Sequence, residues 1–325
     1  MALHGNGNAM TTSHPRKRTV GGGEIDIEAF QRSSSIATLS STYPLRLISH
    51  PVRTSSRAAI IFMSSYGGGL VAGDHVDMHV KVRPKARLAL LTQGSTKIYK
   101  TPSKDICTEQ NLTATIDEGA AMLLLPDPIQ PYKGSSYKQG QAFHVQPQHS
   151  SVAFLDWLSA GRAARGEAWE FFQWRGHNEV WTLPANAGHA APKRLLLRDN
   201  VILDGMSPLE HSYRDEMDDL GIFGTLILRG PVFHPLAQFF LKEFTSLPRV
   251  RGVSSTTTSS TMKAKTTTPT ASPRLTWTAA SIRGCVIVKF GAKDVDEAKQ
   301  WLRDMLEREG TVEREFGKHS LLCLQ

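Results

Sequence analysis

The chain has 325 residues with ordinary proportions of hydrophobic (40%) and charged (21%) side chains, as expected for a globular protein with a sizeable core. Its apolar runs are much shorter than the roughly 20 residues that cross a bilayer, which excludes a membrane-spanning helix. The formal charge of +8 suggests nucleic-acid binding, but the basic residues are scattered and lack interleaved aromatics, so a surface for an acidic protein partner explains the charge more simply.

The first 23 residues are rich in Gly, Ser, Thr and His and show no periodicity, so we expect a disordered tail. They contain neither the apolar segment of a secretory signal nor the amphipathic pattern of a transit peptide. Three widely spaced cysteines, Cys107, Cys285 and Cys323, form no CxxC pair, which predicts free thiols in a reducing compartment. These features predict a cytoplasmic protein.

Residues 24–325 are predicted to form a single domain that is mainly β with a few helices. Three segments, 79–93, 113–127 and 142–156, repeat one pattern: a β-branched residue (Val82, Ile116 or Val145), a short turn with Pro or Gly, and an apolar strand. They are 34 and 29 residues apart, a period typical of stacked supersecondary units. We expect three hairpin-like units in a stacked, β-helix-like arrangement, and an ordinary antiparallel sandwich is the alternative.

The last third of the chain is predicted to contain the helices. Residues 294–308 carry apolar side chains at helical spacing after an Asp N-cap, and Gly310 ends the pattern. Residues 235–244 form a second apolar helical face. Between these two helices, residues 253–273 are a Thr/Ser-rich stretch that cannot bury apolar surface, so we expect a disordered insertion there.

A glycine-rich segment, Tyr66–Asp74, precedes a strictly alternating strand. The spacing of Gly67, Gly69 and Gly73 is similar to that of a dinucleotide-binding loop. Such a loop needs a helix after it to hold the pyrophosphate, whereas this sequence predicts a strand. We therefore favour a tight turn, and a nucleotide-dependent enzyme that uses this loop is the alternative.

The strand after the loop carries His75, Asp77 and His79 on one face, because side chains two residues apart point the same way. Two imidazoles and a carboxylate suit a borderline metal such as Ni²⁺, Cu²⁺ or Zn²⁺. The alternative is the solvated side of a half-buried strand, which explains the alternation without a metal.

A later segment, Leu155–Trp174, combines Asp156, Arg162 and Glu167 with glycines and aromatic residues. Carboxylates and arginines this close suit either general-acid chemistry or an ion-pair network that fixes a turn. No hydrolase motif accompanies them, so no catalytic residue is assigned. The aromatic residues are predicted to anchor the core or an interface: Trp157, Trp169, Phe171, Phe172 and Trp174.

An acidic run follows in residues 211–221, with carboxylates at Asp215, Glu216, Asp218 and Asp219. We interpret it as a solvated helical turn, and a role in passing on a cation is the alternative.

Four blocks of this sequence, in this order, resemble the UreD (UreH) family of urease accessory proteins. They are YPLRLISH (43–50), SYGGGLVAGDHVDMHVKVRPKARLALLTQGSTKIYK (65–100), LLLPDPIQPYKGSSY (123–137) and LDWLSAGRAARGEAWEF (155–171). GTLILRG (224–230) and GCVIVKFGAKDVDEAKQWLRDML (284–306) are similar to the family's more variable C-terminal half. The N-terminal tail and the Thr/Ser insertion depart from the family pattern and look like eukaryotic, fungal-type additions.

The resemblance implies a non-enzymatic maturation factor with a largely β, helically wound fold. It implies a scaffold that joins UreF and the GTPase UreG, contacts apo-urease, and passes nickel through the interior of the complex. Ni²⁺ would be transient, with no tightly bound cofactor. Matched positions on this route are Asp74, Asp156, Arg162 and Glu167, whereas the family pattern does not demand His75 or His79. Matches with a structural or partner-contacting role are Gly67, Gly68, Gly69, Gly73, Thr92, Gln93, Ser95, Lys97, Trp157, Gly161, Arg162 and Gly166.

Overall fold

The computed structural model describes residues 20–51, 57–147, 149–182, 193–204, 213–248 and 275–325. The strands within these ranges are, in chain order, β1 (Gly22–Phe30), β2 (Ser33–Ser41), β3 (Leu45–Ser49), β4 (Ala59–Ser65), β5 (Gly69–Leu70), β6 (His75–Val82), β7 (Arg87–Thr92), β8 (Lys97–Ile98), β9 (Thr108–Ile116), β10 (Ala121–Leu125), β11 (Gln130–Pro131), β12 (Ser136–Val145), β13 (Ser151–Ser159), β14 (Gln173–Thr182), β15 (Arg194–Asp204), β16 (Ile222–Arg229), β17 (Leu275–Ile282) and β18 (Cys285–Ala292).

The same ranges contain four α-helices: α1 (Tyr213–Glu216), α2 (His234–Ser246), α3 (Val295–Glu309) and α4 (Thr311–Phe316). Three short 3₁₀ helices cover Tyr66–Gly68, Ala163–Arg165 and Lys318–Leu324. The predicted mainly β character with a few helices is therefore confirmed. β1 begins at Gly22 and so includes the last two residues of the predicted N-terminal tail. The predicted insertion at 253–273 lies outside the described residues.

The strands form three sheets. The first has seven strands in the order β15-β14-β12-β9-β6-β1-β2, the second has eight in the order β17-β18-β16-β13-β10-β7-β4-β3, and the third joins β11, β8 and β5. Neighbours in the middle of each sheet run parallel, and antiparallel strands flank the two large sheets. From β4 to β12 the chain visits the eight-stranded, three-stranded and seven-stranded sheets in turn, so that each sheet gains one strand per pass.

The three repeated segments lie side by side. Val82 pairs with Ile116, and Ile116 pairs with Val145, so the β-branched residues of the repeat are in register. The two arms of each segment belong to different sheets, as β6 and β7 do. The arms therefore do not pair as hairpins, and that part of the prediction is wrong. The turn between them carries the chain from one large sheet to the other.

The eight-stranded sheet is the middle layer of the molecule. Every residue of β10 and β13 is buried, which is typical of parallel strands that are covered on both faces. One face meets the seven-stranded sheet in a first core, where Leu90 and Phe143 are buried. The other face meets α2, α3 and α4 in a second core, where Leu123, Phe240 and Leu302 are buried.

Both predicted long helices are present. The Asp294 carboxylate accepts a hydrogen bond from the Glu297 N–H at the start of α3, and Gly310 ends the helix with φ of 81°. α2 covers the second predicted helix and places Leu236 and Phe240 in the second core. No helix in the described ranges combines the length and the apolar character that a membrane crossing requires.

Candidate functional site

A buried carboxylate, Asp156, lies between the two large sheets. It sits on β13 among otherwise apolar residues and is only 7% exposed. Its two oxygens accept hydrogen bonds from Gln139 Nε2 on β12 at 2.9 Å and from Asn178 Nδ2 on β14 at 2.6 Å. Burial raises the pKa of Asp156, and these two hydrogen bonds oppose that increase because they stabilise the ionised form.

Asp156 lies on the wall of a cavity of about 30 Å³ between the sheets. This volume is enough for a water molecule or a small ion. The wall is partly apolar and partly polar, and Gln139 and Gln141 of β12 contribute amide groups to it. Gln141 Oε1 and Asn178 Oδ1 are buried without a hydrogen-bond partner among the described residues. We call Asp156, Gln139, Gln141 and Asn178 the inner polar cluster.

A second buried polar group lies at another edge of this cavity. Asp127 follows β10, is 4% exposed, and accepts hydrogen bonds from Thr92 Oγ1 at 3.0 Å and from the Gly94 N–H at 2.8 Å. Its other oxygen accepts a hydrogen bond from Lys299 Nζ of α3 at 2.6 Å. Asp127 therefore holds the TQGSTK turn and joins it to the helical layer. Within this turn Gln93 is exposed and Lys97 is half-buried.

The glycine-rich segment forms the predicted tight turn. The 3₁₀ turn Tyr66–Gly68 is followed by the two-residue strand β5, and β6 then begins at His75. The helix that a dinucleotide loop needs is therefore replaced by a strand. Asp74 folds back on its own turn, where its Oδ2 accepts a hydrogen bond from the Val71 N–H at 2.9 Å. Gly73 has φ of 81°, a conformation that favours glycine in such a turn.

The predicted metal face, His75, Asp77 and His79, lies on the outer face of the seven-stranded sheet. Both histidines are exposed, and Asp77 is half-buried. His79 Nε2 is 3.5 Å from Asp77 Oδ2, whereas His75 Nδ1 lies 3.6 Å from Glu109 Oε2 on the next strand. Within the described residues no three His, Cys, Asp or Glu side chains come together in a way that could hold a metal ion. The geometry fits the solvated strand face that was the alternative.

Arg162 and Glu167 form an ion pair across the turn after β13. Arg162 Nε donates to Glu167 Oε2 at 2.9 Å, Arg162 Nη2 contacts Oε1, and the Lys133 N–H donates to Oε2 at 3.3 Å. The hydrogen bond from Arg162 is the main cause that lowers the pKa of Glu167. An acid with a lowered pKa is a poor proton donor at neutral pH. Of the two alternatives, the geometry therefore fits an ion pair that fixes the turn and not a general acid.

The glycines of this turn and its aromatic residues have structural positions. Gly161 and Gly166 have φ of 123° and 75°, which permits the sharp turn around Arg162. Trp157 and Trp169 are 1% and 4% exposed, and their indole N–H groups donate to the carbonyl oxygens of Pro126 and Leu220, both at 2.8 Å. Their predicted role as core anchors is confirmed.

The acidic run is exposed at the surface. Tyr213–Glu216 form the short helix α1, and the four carboxylate residues of the run are exposed there or just after it. Residues 211 and 212, also part of the predicted run, lie outside the described ranges.

The structure thus separates the sequence-predicted site residues into different environments. Asp156 is enclosed, Asp74 and Glu167 stabilise turns, and the histidines face solvent. Sequence reasoning missed Gln139 and Asn178, the amide partners of Asp156. The available signal was weak: Gln139 and Gln141 occupy the same strand face as Tyr137, Phe143 and Val145, where an apolar side chain is expected.

Comparison with known proteins gives a consistent result. The family model described as "UreD urease accessory protein" matches residues 20–321. A protein of Schizosaccharomyces pombe named "Uncharacterized urease accessory protein ureD-like" is 32% identical over 86% of this chain and 91% of its own length. Urease accessory protein D of Oryza sativa subsp. indica is 34% identical over 64% of this chain and 65% of its own. Urease accessory protein UreD of Anaeromyxobacter sp. is 31% identical over 74% and 77%.

Proposed function

Because this chain belongs to the UreD family of urease accessory proteins, we propose that it is a non-enzymatic scaffold for urease maturation. In this proposal it joins homologues of UreF and UreG, contacts apo-urease, and helps to deliver nickel in the cytoplasm. Nickel is the cargo of the complex, not a resident cofactor. We also interpret the alternation of the chain between three sheets as a β-helix-like stack, which would give the scaffold a rigid frame.

The observation that carries the nickel role is the inner polar cluster. A carboxylate and three amide side chains are enclosed in an otherwise apolar core, where such groups cost stability unless they have partners. Two amide oxygens of the cluster, Gln141 Oε1 and Asn178 Oδ1, have no partner among the described residues, and Gln141 lines a cavity that can hold a water molecule or a small ion. Oxygen donors of this kind suit brief contact with a divalent cation that has lost most of its hydration shell.

The chemistry of the cluster favours weak contact over tight binding. Both oxygens of Asp156 are already engaged by the amides of Gln139 and Asn178, so a cation must compete with these hydrogen bonds. The site also offers one carboxylate and no imidazole within the cluster, whereas Ni²⁺ binds tightly to imidazole nitrogen. A carrier has to release the ion it receives, and this donor set satisfies that requirement.

The proposal is tested by urease activation in a host that lacks its own copy of this gene. Asp156→Asn keeps the size of the side chain and removes its charge, so we expect the nickel content and activity of urease to fall at least about tenfold while partner binding persists. Glu167→Gln and Asp74→Asn test the other two carboxylates of the predicted route. Asp77→Asn on the outer sheet face is the matched control.

The readouts separate the nickel role from the scaffold role. Nickel content and activity of purified urease report delivery, and co-purification of the UreF homologue and urease reports assembly. If all three route variants load urease as well as the control does, the nickel route through this chain is wrong, and a purely adaptor role remains. If the unaltered chain captures neither partner, the scaffold proposal itself fails.

A further inference from the structure

The outer face of the three-stranded sheet carries a row of aromatic side chains. Leu70 of β5 and Pro131 of β11 both pair with Ile98 of the central strand β8 in parallel register, and all three residues are buried. The residues that follow them point to the opposite, outer side, because side chains alternate along a strand. These residues are Val71, Tyr99 and Tyr132, and we call them, with the neighbouring Tyr43 and Tyr66, the tyrosine strip.

The tyrosines of the strip contact one another in two pairs. The rings of Tyr99 and Tyr132 meet edge to face with centroids 5.3 Å apart, and the Arg162 guanidinium lies 4.0 Å above the Tyr132 ring. The rings of Tyr43 and Tyr66 are 5.7 Å apart. Together these contacts order four tyrosines before any partner is bound, which lowers the entropy cost of binding.

A groove of about 400 Å³ lies within the strip, between Tyr43, Tyr66, Val71 and Tyr99. Tyr43, Tyr66 and Val71 are 58%, 52% and 49% exposed, unusual values for large apolar side chains that lie together. Contiguous exposed tyrosines of this kind are typical of the centres of protein interfaces.

Glycine shapes the floor of this groove. A Cβ atom on Gly69 would lie 2.5 Å from the Lys97 carbonyl oxygen and 2.7 Å from the Tyr99 ring, so only glycine leaves room for the ring at this position. The Tyr99 hydroxyl donates a hydrogen bond to the Gly67 carbonyl oxygen at 3.2 Å. Gly67 and Gly68 both have positive φ, 70° and 72°, and a Cβ on either would meet open space. The glycine motif therefore builds a surface groove.

The charges around the tyrosine strip favour an acidic partner. Two nearby carboxylates are neutralised, because Glu167 pairs with Arg162 and Glu170 pairs with Lys133. Asp74, which lines the groove, accepts a backbone hydrogen bond and has no ion-pair partner among the described residues. Within the described part of the chain, the cations Lys97, Lys100 and Arg165 form no ion pair. Three unpaired cations therefore border the strip, against the one unpaired carboxylate of Asp74 in the groove, which leaves an excess of positive charge.

We propose that the tyrosine strip is the docking surface for an acidic protein partner, which inserts one apolar side chain into the groove. The inference rests on the proposed function, since it assumes a complex with other maturation proteins. Nucleic acid fits less well, because stacking requires free aromatic faces. The Tyr132 face is covered by Arg162, and the Tyr99 ring is packed against Tyr132 and Gly69.

The test measures the affinity of the purified full chain for its purified UreF homologue and for apo-urease. Tyr66→Ser with Val71→Glu removes an anchor and adds a repulsive charge at the groove. The matched control is Phe30→Ser with Ile202→Glu, which alters an aromatic and an aliphatic residue that are 61% and 62% exposed elsewhere on the surface. We expect the groove variant to bind one partner at least about tenfold more weakly, and the control to bind as the unaltered chain does.

A second variant tests the charge argument separately. Lys97→Glu with Lys100→Glu leaves the tyrosines in place, and we expect weaker binding to the same partner, with a smaller dependence on salt than the unaltered chain shows. Circular dichroism of each variant checks that the fold is retained. A folded groove variant that binds both partners normally would overturn the docking surface while leaving the proposed function intact.

Other outcomes also decide the question. If the unaltered chain binds neither partner, the proposed function fails, and the docking inference fails with it. If the groove variant alters only self-association in ultracentrifugation, or only the retention of single-stranded DNA, the occupant is a second copy or a nucleic acid, and the acidic-partner assignment is wrong.

Discussion

The two large sheets have similar sizes and both have parallel strands at their centres, but their polar side chains lie in different environments. The seven-stranded sheet has one face in the first core and one face in solvent, so β6 alternates between buried apolar and more exposed polar residues. The eight-stranded sheet lies between the other sheet and the helices, and β10 and β13 are buried throughout. A polar residue on the first sheet can remain solvated, whereas one on the second needs an internal partner.

This difference explains which candidate residues are held in place. Asp156 and Asp127, on or beside strands of the eight-stranded sheet, have partners for both carboxylate oxygens. His75 and His79, on the outer face of the seven-stranded sheet, have only one neighbouring carboxylate each, at 3.6 and 3.5 Å. Enclosure, more than residue type, therefore decides which polar groups form ordered networks.

The largest effect is expected where the helical layer meets the eight-stranded sheet. Lys299→Met removes the partner of Asp127, whose side chain is only 5% exposed, and leaves a buried carboxylate without its counter-charge. We expect a loss of roughly 2–3 kcal/mol in the free energy of unfolding, below the 3–5 kcal/mol typical of fully buried pairs, because Lys299 keeps some contact with solvent. Urea denaturation measures this loss.

A double variant sharpens this prediction. Lys299→Met combined with Asp127→Asn removes both charges and keeps an oxygen that accepts the hydrogen bond from Thr92, so we expect it to recover most of the lost stability. If the single variant were as stable as the unaltered chain, the ion pair would not join the helical layer to the TQGSTK turn.

A smaller and pH-dependent effect is expected at Asp156. Burial raises the pKa of this carboxyl in the folded state above its value in the unfolded chain. Protonated Asp156 is therefore favoured by folding, and its contribution to stability is present at low pH and is lost as the pH rises through the raised folded value. Asp156→Asn cannot ionise, so we expect its stability, relative to that of the unaltered chain, to increase from about pH 4 to about pH 7.

Thermal unfolding across this pH range compares the two proteins. Asp77→Asn is the control, since Asp77 is on the solvated face of the other sheet. Equal pH profiles for the unaltered chain and Asp156→Asn would show that burial does not perturb this carboxyl in the folded protein.

The sequence predicts most of this architecture because its periodicity reflects burial. The repeat at Val82, Ile116 and Val145, the N-cap of α3 and the turn at Gly73 all follow from local patterns. The partners of Asp156 could not be predicted in this way. Gln139 and Asn178 lie on strands that are distant in sequence, and their hydrogen bonds depend on how the two large sheets face each other.

The tyrosine strip and the failed hairpin prediction have the same physical origin. Local patterning identifies a strand and its buried side, but a parallel pairing partner lies about 30 residues away and is set by the crossover. Val71, Tyr99 and Tyr132 become neighbours only through such pairings between β5, β8 and β11. The sequence therefore shows each tyrosine but not the row that they form.

The smallest effect is expected on the outer face of the seven-stranded sheet. Replacing His75, Asp77 and His79 together by Ala removes only solvated side chains and two long contacts with carboxylates. We expect the free energy of unfolding to change by no more than about 0.5 kcal/mol, because surface changes of this kind seldom cost more. Urea denaturation of the triple variant beside Lys299→Met measures the contrast between the two sheets.

The same triple variant also tests whether the predicted metal face takes part in nickel delivery. The three side chains do not form a cluster that could hold a metal ion within the described ranges, so we expect the variant to load nickel into urease as the unaltered chain does. A parallel assay of Asp156→Asn in the same host supplies the positive comparison. If the triple variant loaded less nickel while keeping normal stability and partner binding, the outer face would be part of the nickel route. Enclosure would then not determine which polar groups are functional.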